Sequence, residues 1–357
     1  MTRRGGSVLL VAFAVATSLL ASAPEVIDSA LPPPPPPVPA APPAPLAADE
    51  LAARTVPVVV TIDASRGWTG MSGSGIVLTP DGTVLTNHHV VSGATDITAV
   101  SAATGLIYDV EVVGYDSALD IAVLQLASAS GLPVAPVADD LPAAGTPVTA
   151  FGNADGGGVV VAAPGTVVAV DRSVMVRDST EGSRKRLTGM LQTDTPIRPG
   201  DSGGPLVDHY GAVVGVNTAG AIEDGPQEAA DSPPEAYAVP IGEALAVVEQ
   251  VRTGGGTDTV HVGPTPRLGV GVTTARADGA DRGAEVLWVS FGTPAYDAGI
   301  EIGDVVVSFG GDRVSSTTEL ESRLRMRKPG DAVPIEWQDA DGRTRSAEVV
   351  LEEGPVR

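Results

Sequence analysis

Three short stretches of this sequence carry side chains that could do nucleophilic chemistry together. In GDSGGP, residues 200–205, Ser202 stands among Gly200, Gly203 and Gly204. Glycines lack Cβ, so such a turn reaches unusual φ values and lets a substrate come close. It can expose one hydroxyl and aim backbone N–H groups at a common point, as stabilisation of a tetrahedral oxyanion requires. A serine hydroxyl is a weak nucleophile alone and needs a histidine base, itself oriented by a carboxylate. VLTNHHVV, residues 84–91, offers His88 and His89, two of the four histidines in the chain. On an extended strand neighbouring side chains point to opposite faces, so only one of the pair can meet Ser202. GYDSALDIAVLQL, residues 114–126, offers Asp116 and Asp120. Asp120 directly precedes an apolar run and is placed for burial at a strand start, as an orienting carboxylate should be. Asp116 reads as a turn former.

The elements that must position these residues are mostly strands. TVPVVVTI, GSGIVL, TVLTN, DITAV, DVEVVGY, DIAVLQL, PVTAFG, GTVVAV, VVGVNTA and AYAVP are short runs rich in Val, Ile and Thr, separated by turn residues. Many closely spaced short strands predict barrels or a sandwich. One helix stands out, IGEALAVVEQVR at 241–252, with Leu245, Val248 and Val251 near helical spacing. The 43 Gly, 31 Pro and 3% aromatic content agree with short strands and many turns rather than helical bundles.

Composition excludes several functions. A net charge of −22 repels phosphate backbones and anionic lipid, so nucleic acid is not an expected partner. No His/Cys/Asp/Glu cluster has metal-ligand spacing, and neither a metal nor a cofactor is expected. His209, in a polar turn, and His261, between domains, read as incidental. With no cysteine there is no disulfide, and the chain must be held by its core. Residues 1–23 read as a cleavable signal peptide: Arg3 and Arg4, an apolar run from Val8 to Leu20, then ASA at 21–23. An uncleaved anchor is the alternative, though the run is short for a membrane span. Residues 24–48 form a proline-rich tether, stiff and extended. The expected destination is the cell envelope or the medium.

GSGIVLTPDGTVLTNHHVV, VVGYDSALDIAVLQL and LQTDTPIRPGDSGGPLV together resemble the HtrA/DegP serine proteases, most closely the secreted mycobacterial PepA branch. The order His, Asp, Ser is that of chymotrypsin. The resemblance implies a mainly β fold, a chymotrypsin-like double β-barrel at 49–252, a linker at 253–264 and a PDZ domain at 265–353. It assigns His89, before VV, as base, Asp120 as orienter and Ser202 as nucleophile, with the N–H groups of Gly200 and Ser202 as oxyanion hole. His88 stands where the family usually has asparagine, a polar neighbour or surface position. Asp201 also replaces an asparagine; in trypsin-type enzymes this aspartate pairs with a newly cleaved N-terminus, but no activation sequence is visible here. Position 196 is proline, followed by Ile197, where trypsin-like enzymes that cut after Arg or Lys carry an aspartate. A pocket without buried charge cannot compensate a desolvated cation, so cleavage after small or medium aliphatic residues is expected.

The C-terminal stretch VLWVSFGTPAYDAGIEIGDVVVSFGGDRV resembles bacterial PDZ domains. Thr293 and Pro294 are set to open a short helix and Gly299 to end it. SSTTELESRLRMR carries a capping box, Ser316 with Glu319, and apolar Leu320 and Leu324. The resemblance implies a groove for C-terminal peptides, with Leu268, Gly269 and Val270 as the carboxylate loop. Its expected partners are therefore polypeptide substrates and C-terminal peptides, and family members are often trimers. Segments 172–188 and 220–236 read as long polar loops of the kind that switch activity in that family. The other reading is a peptide-binding or chaperone-like envelope protein whose protease domain is latent.

Overall fold

The computed structural model describes residues 44–66, 69–177, 184–218, 235–277 and 279–356. The expected leader and most of the tether lie outside them. The last tether residue already belongs to a helix, α1 (Ala48–Thr55), which buries Leu51 and Thr55. The amide of Leu46 just before it donates to His209 O at 2.8 Å.

The first barrel is built from β1 (Val59–Arg66), β2 (Thr69–Val77), β3 (Thr83–Thr86), β4 (Asp96–Ser101), β5 (Ile107–Asp116) and β6 (Ile121–Leu126). Their order is β5-β4-β1-β2-β3-β6, and β6 also pairs with β5, which closes the ring. Val60, Ile62, Val84, Leu124 and Leu126 fill it. The second barrel is a closed ring of β7 (Pro147–Gly152), β8 (Val161–Arg177), β9 (Arg184–Thr193), β10 (Pro205–Asp208), β11 (Val213–Thr218) and β12 (Ala236–Pro240). A large apolar cluster joins the barrels, with Ile76, Leu85 and Ile121 from the first and Phe151, Met190 and Val216 from the second. That packing seam brings the three chemical stretches together.

Two expectations need correction here. Most of the polar loop expected at 172–188 is hairpin: β8 and β9 pair from Val167↔Thr193 out to Arg177↔Arg184. Val174 and Leu187 are buried on it, and such alternation of buried and open positions stabilises strand rather than loop. Residues 178–183 and 219–234 lie outside the described chain. The helix at 241–252 (α3) has the expected bounds, but its buried face is Ile241, Ala244, Val247 and Val251, while Leu245 and Val248 are only partly buried.

The linker at 253–264 is not free either. β13 (Val260–Val262) adds to the edge of β5, with His261 opposite Tyr115. His261, read from sequence as incidental, is 1% exposed. Its Nδ1 lies 2.8 Å from Arg325 O and its Nε2 3.0 Å from Pro264 O. Buried polar atoms are stable only when partnered, and each nitrogen of this ring faces a carbonyl oxygen to which its N–H can be given.

The last domain holds β14 (Pro266–Arg267), β15 (Val270–Ala277), β16 (Ala280–Val289), β17 (Val305–Phe309), β18 (Asp312–Arg313), β19 (Ala332–Gln338), β20 (Thr344–Val350) and β21 (Glu352–Glu353). Six of them form a sheet in the order β15-β16-β17-β19-β20, with β18 paired to β17. Two helices pack with it, α4 (Pro294–Asp297), the one-turn helix expected after Thr293, and α5 (Thr317–Arg325). The Thr293 hydroxyl does not cap α4; it donates to Ser290 O at 2.7 Å. At α5 the Ser316 hydroxyl accepts from Glu319 N, but Glu319 reaches back to the amide of Ser315 rather than Ser316. The fold is thus mainly β, a double barrel followed by a small β-domain.

His261→Ala should lower unfolding stability by about 2–4 kcal/mol, because it empties a packed site and removes the ring that the Arg325 and Pro264 carbonyls face, one of them accepting its N–H; urea unfolding of the full chain measures it.

Candidate active site

Asp120 is the hub. It adopts a left-handed backbone conformation, φ 60°, which aspartate tolerates better than most residues but which still marks a constrained position. Its carbonyl accepts from the amide of His88 at 3.1 Å and from Asn87 Nδ2 at 3.0 Å. Its Oδ1 accepts from the amide of His89 at 2.9 Å. Its Oδ2 lies 2.7 Å from His89 Nδ1 and accepts from Thr218 Oγ1 at 2.9 Å. Burial raises the pKa of this carboxyl, but the attraction of and hydrogen bonds from His89 outweigh burial and bring it to about 2. It is therefore ionised at neutral pH and accepts a hydrogen bond from His89 Nδ1–H, leaving Nε2 to face the cleft.

His88 and His89 begin a one-turn helix, α2 (His88–Val91), rather than continuing a strand. Successive side chains on a helix diverge by about 100°, which separates the two rings as alternation was expected to. His89 remains a quarter exposed, open to the cleft. The surface alternative for His88 fails. It is 5% exposed, stacked on Tyr115 with ring centroids 4.6 Å apart, and Tyr115 in turn leans on His261 at 5.2 Å. Asp116 is a turn former: its Oδ1 accepts from the amides of Ala118 at 2.7 Å and Leu119 at 3.1 Å.

Ser202 lies in the turn before β10 and lines a cleft of about 240 Å³ with His89, Met71, Val90, Ile197 and Pro199. Gly200 and Gly203 have φ of 100° and 85°. A Cβ on Gly200 would stand 2.0 Å from Asn153 O, and one on Gly203 2.2 Å from Ser74 O, so no larger residue fits. The amides of Asp201, Gly203 and Gly204 donate to Arg198, Asn217 and Asp201 carbonyls. Those of Gly200 and Ser202 meet no backbone acceptor among the described residues. No carboxylate lines the cleft among the described residues; Arg198 sits at its rim, paired with Asp155 at 3.1 Å.

Two supporting residues escaped the sequence reading. Ser74 on β2 donates its amide to Ser202 O and its hydroxyl to Gly200 O, both at 2.8 Å, and its hydroxyl accepts from the amide of Asn153. It clamps the turn that carries Ser202 from the first barrel. Thr218, which ends β11, reaches Asp120 from the second barrel. Each sits inside a run that was legible as a strand, but a lone hydroxyl carries no periodic signal.

Asp201, whose partner was open, is 4% exposed. Its Oδ2 accepts from the backbone amide of Arg198 at 2.8 Å, whereas Oδ1 has no hydrogen-bond partner among the described residues. Burial pushes its pKa up, the Arg198 amide pulls it down, and Asp155 adds to the rise.

In the last domain, Leu268 is 1% and Val270 5% exposed, and Gly269 has φ 93°. The carbonyls of Leu268 and Gly269 are taken by the amides of Ala295 and Ser290, both at 2.9 Å. Leu268, Val270, Leu320 and Leu324 pack in one core. The Thr274 hydroxyl on β15 donates to Thr317 Oγ1 and accepts the Thr317 amide, both at 3.2 Å, bridging strand and helix.

Comparison with known proteins finds a trypsin-like peptidase domain over residues 73–216 and a PDZ domain over 266–351. The serine protease PepD of Mycobacterium tuberculosis is 31% identical over 319 residues, covering 86% of this chain and 66% of that protein. The putative serine proteases HhoB and HhoA of Synechocystis are 33% and 32% identical, covering 74% and 76% of this chain. The chain spans 62% of HhoB and 68% of HhoA, so it matches about two thirds of the length of these relatives.

A group whose folded pKa is raised stabilises the fold below its unfolded pKa and loses that contribution as pH rises through the folded value. Asp201→Asn should therefore raise the melting temperature at pH 7 to 8. The gain should fade toward about pH 4, the ordinary carboxylate range; thermal melts across that span measure it.

Proposed function

The chain belongs to the HtrA/DegP-type serine proteases, and we propose that it is an exported endopeptidase that hydrolyses unfolded or exposed polypeptide, its PDZ domain recruiting or gating C-terminal peptides. The observation that carries this is the 2.7 Å contact of His89 Nδ1 with an ionised Asp120, in one cleft with Ser202.

In the reaction so read, His89 Nε2 takes the Ser202 hydroxyl proton as Oγ attacks the scissile carbonyl carbon. The carbonyl oxygen becomes an oxyanion held by the amides of Gly200 and Ser202. The intermediate collapses, the C–N bond breaks, and the leaving amine takes the proton from the His89 imidazolium. Water then repeats both proton transfers and frees Ser202. Asp120 stays ionised throughout; its low pKa suits a group that orients the ring and stabilises the imidazolium without accepting the proton.

The apolar cleft walls, Met71, Val90 and Ile197, support cleavage after aliphatic residues. Export rests on the N-terminal 23 residues, and a homo-oligomer, a trimer by analogy, on the family. The amides of Leu268 and Gly269, unspent among the described residues, support carboxylate capture.

Purified protein lacking the leader should degrade an unfolded substrate, and Ser202→Ala and His89→Ala should each reduce turnover to background; degradation that survives either change, or an inactive parent with a PDZ-binding peptide present across pH 6 to 9, would leave the latent, chaperone-like reading. Among matched peptides, those with an aliphatic residue before the scissile bond should exceed those with Arg in kcat/KM by at least about tenfold; the reverse order contradicts the pocket assignment.

A further inference from the structure

α2 is only four residues long, so its last carbonyls cannot all find helical partners. The amide of Ser92 serves His88 O at 2.8 Å, and that of Val90 serves Asn87 O at 3.3 Å. His89 O would be served by the amide of Gly93 four residues on, but that amide is turned to Val356 O at 2.5 Å. Among the described residues, the carbonyl of the very residue whose ring faces the cleft thus has no backbone donor.

Arg66 supplies it. Its Nη2 donates to His89 O at 2.7 Å across 23 residues of sequence. The same nitrogen lies 3.5 Å from Met71 Sδ, in the cleft wall. The arginine is itself fixed: it closes the β1–β2 ladder opposite Thr69, whose hydroxyl donates to Arg66 O at 3.1 Å. A charge-assisted bond of this length is among the stronger hydrogen bonds available to a protein.

From this geometry we infer that Arg66 is a positioning residue for the catalytic histidine, acting through the His89 carbonyl. Asp120 holds His89 by its amide and by Nδ1, and neither contact restrains the carbonyl end of the residue. With the carbonyl pinned as well, the backbone on both sides of the ring is fixed and Nε2 keeps one direction into the cleft. Without Arg66 the His89–Val90 peptide is free to turn toward water and tilt the ring. Misplacement of a reacting group by about 1 Å can cost a hundredfold in rate, so a single bond to a backbone oxygen is sufficient for a measurable effect. An effect transmitted through the His89 carbonyl belongs in kcat rather than in substrate binding.

This inference rests on the protease reading, and one set of measurements separates the two. The protein lacking its leader is compared with Arg66→Ala and Arg66→Lys in turnover of an aliphatic peptide and in phosphonylation of Ser202 by a fluorophosphonate, which releases fluoride. Arg66→Ala should lower kcat about tenfold to a hundredfold with KM within about twofold, and should slow phosphonylation in proportion. Millimolar guanidinium, but not sodium, should restore part of the loss, and Arg66→Lys should lie between the two. Wild-type kcat in Arg66→Ala overturns the inference, as does a loss that falls on KM or that guanidinium leaves unchanged, since a merely structural arginine gives those results. A parent protein that is neither active nor phosphonylated instead removes the protease reading, and this inference with it.

Discussion

A single buried carboxylate holds this site together. Asp120 is a charge taken out of water, and such a charge is tolerated only when its lone pairs are filled. They are filled from both barrels: the amide and ring of His89 from the first, the hydroxyl of Thr218 from the second. Removing any one donor leaves part of a negative charge unpartnered in the seam. The two barrels can therefore pack in only one relation without cost, and that relation opens His89 toward Ser202.

The seam is clamped a second time by Ser74. Through its amide and hydroxyl, a strand of the first barrel grips the carbonyls on both sides of Asp201 in the second. Those bonds fix the turn from behind, while the amides of Gly200 and Ser202 remain uncommitted in front. Oxyanion stabilisation depends on donors that need no reorganisation during the reaction, and a turn held by its carbonyls suits the role proposed for it. Asp201 is the dissonant element, a buried carboxylate with one oxygen unpartnered among the described residues.

The second domain is tied to the same barrel at two points near the segment that carries His89. His261 bridges β13 to the end of α5 through Arg325 O and lies against Tyr115, on which His88 is stacked. The carbonyl of Val356 takes the amide of Gly93, just beyond α2. The segment that carries His89 is thus bordered by residues tied to the PDZ domain, and the linker adds a strand to the first barrel rather than forming a hinge beside it.

The sequence alone determined the fold class, the bounds of α3 and the residues that meet in the cleft. These features are local: a glycine-rich turn around a serine, an aspartate before an apolar run, and periodic apolar residues leave their mark in adjacent positions. Tertiary structure decided what depends on distant partners. His88 and His89 are distinguished by geometry only because Asp120, 31 residues away, takes one ring and Tyr115 the other. The buried face of α3 is shifted because the cluster it meets, not its own periodicity, selects which side is inside. Ser74, Thr218 and Arg66 are ordinary strand residues until folding sets them against a carbonyl or carboxylate far along the chain. A hydrogen bond is short-ranged and directional, and nothing in the spacing of two residues so far apart can announce it.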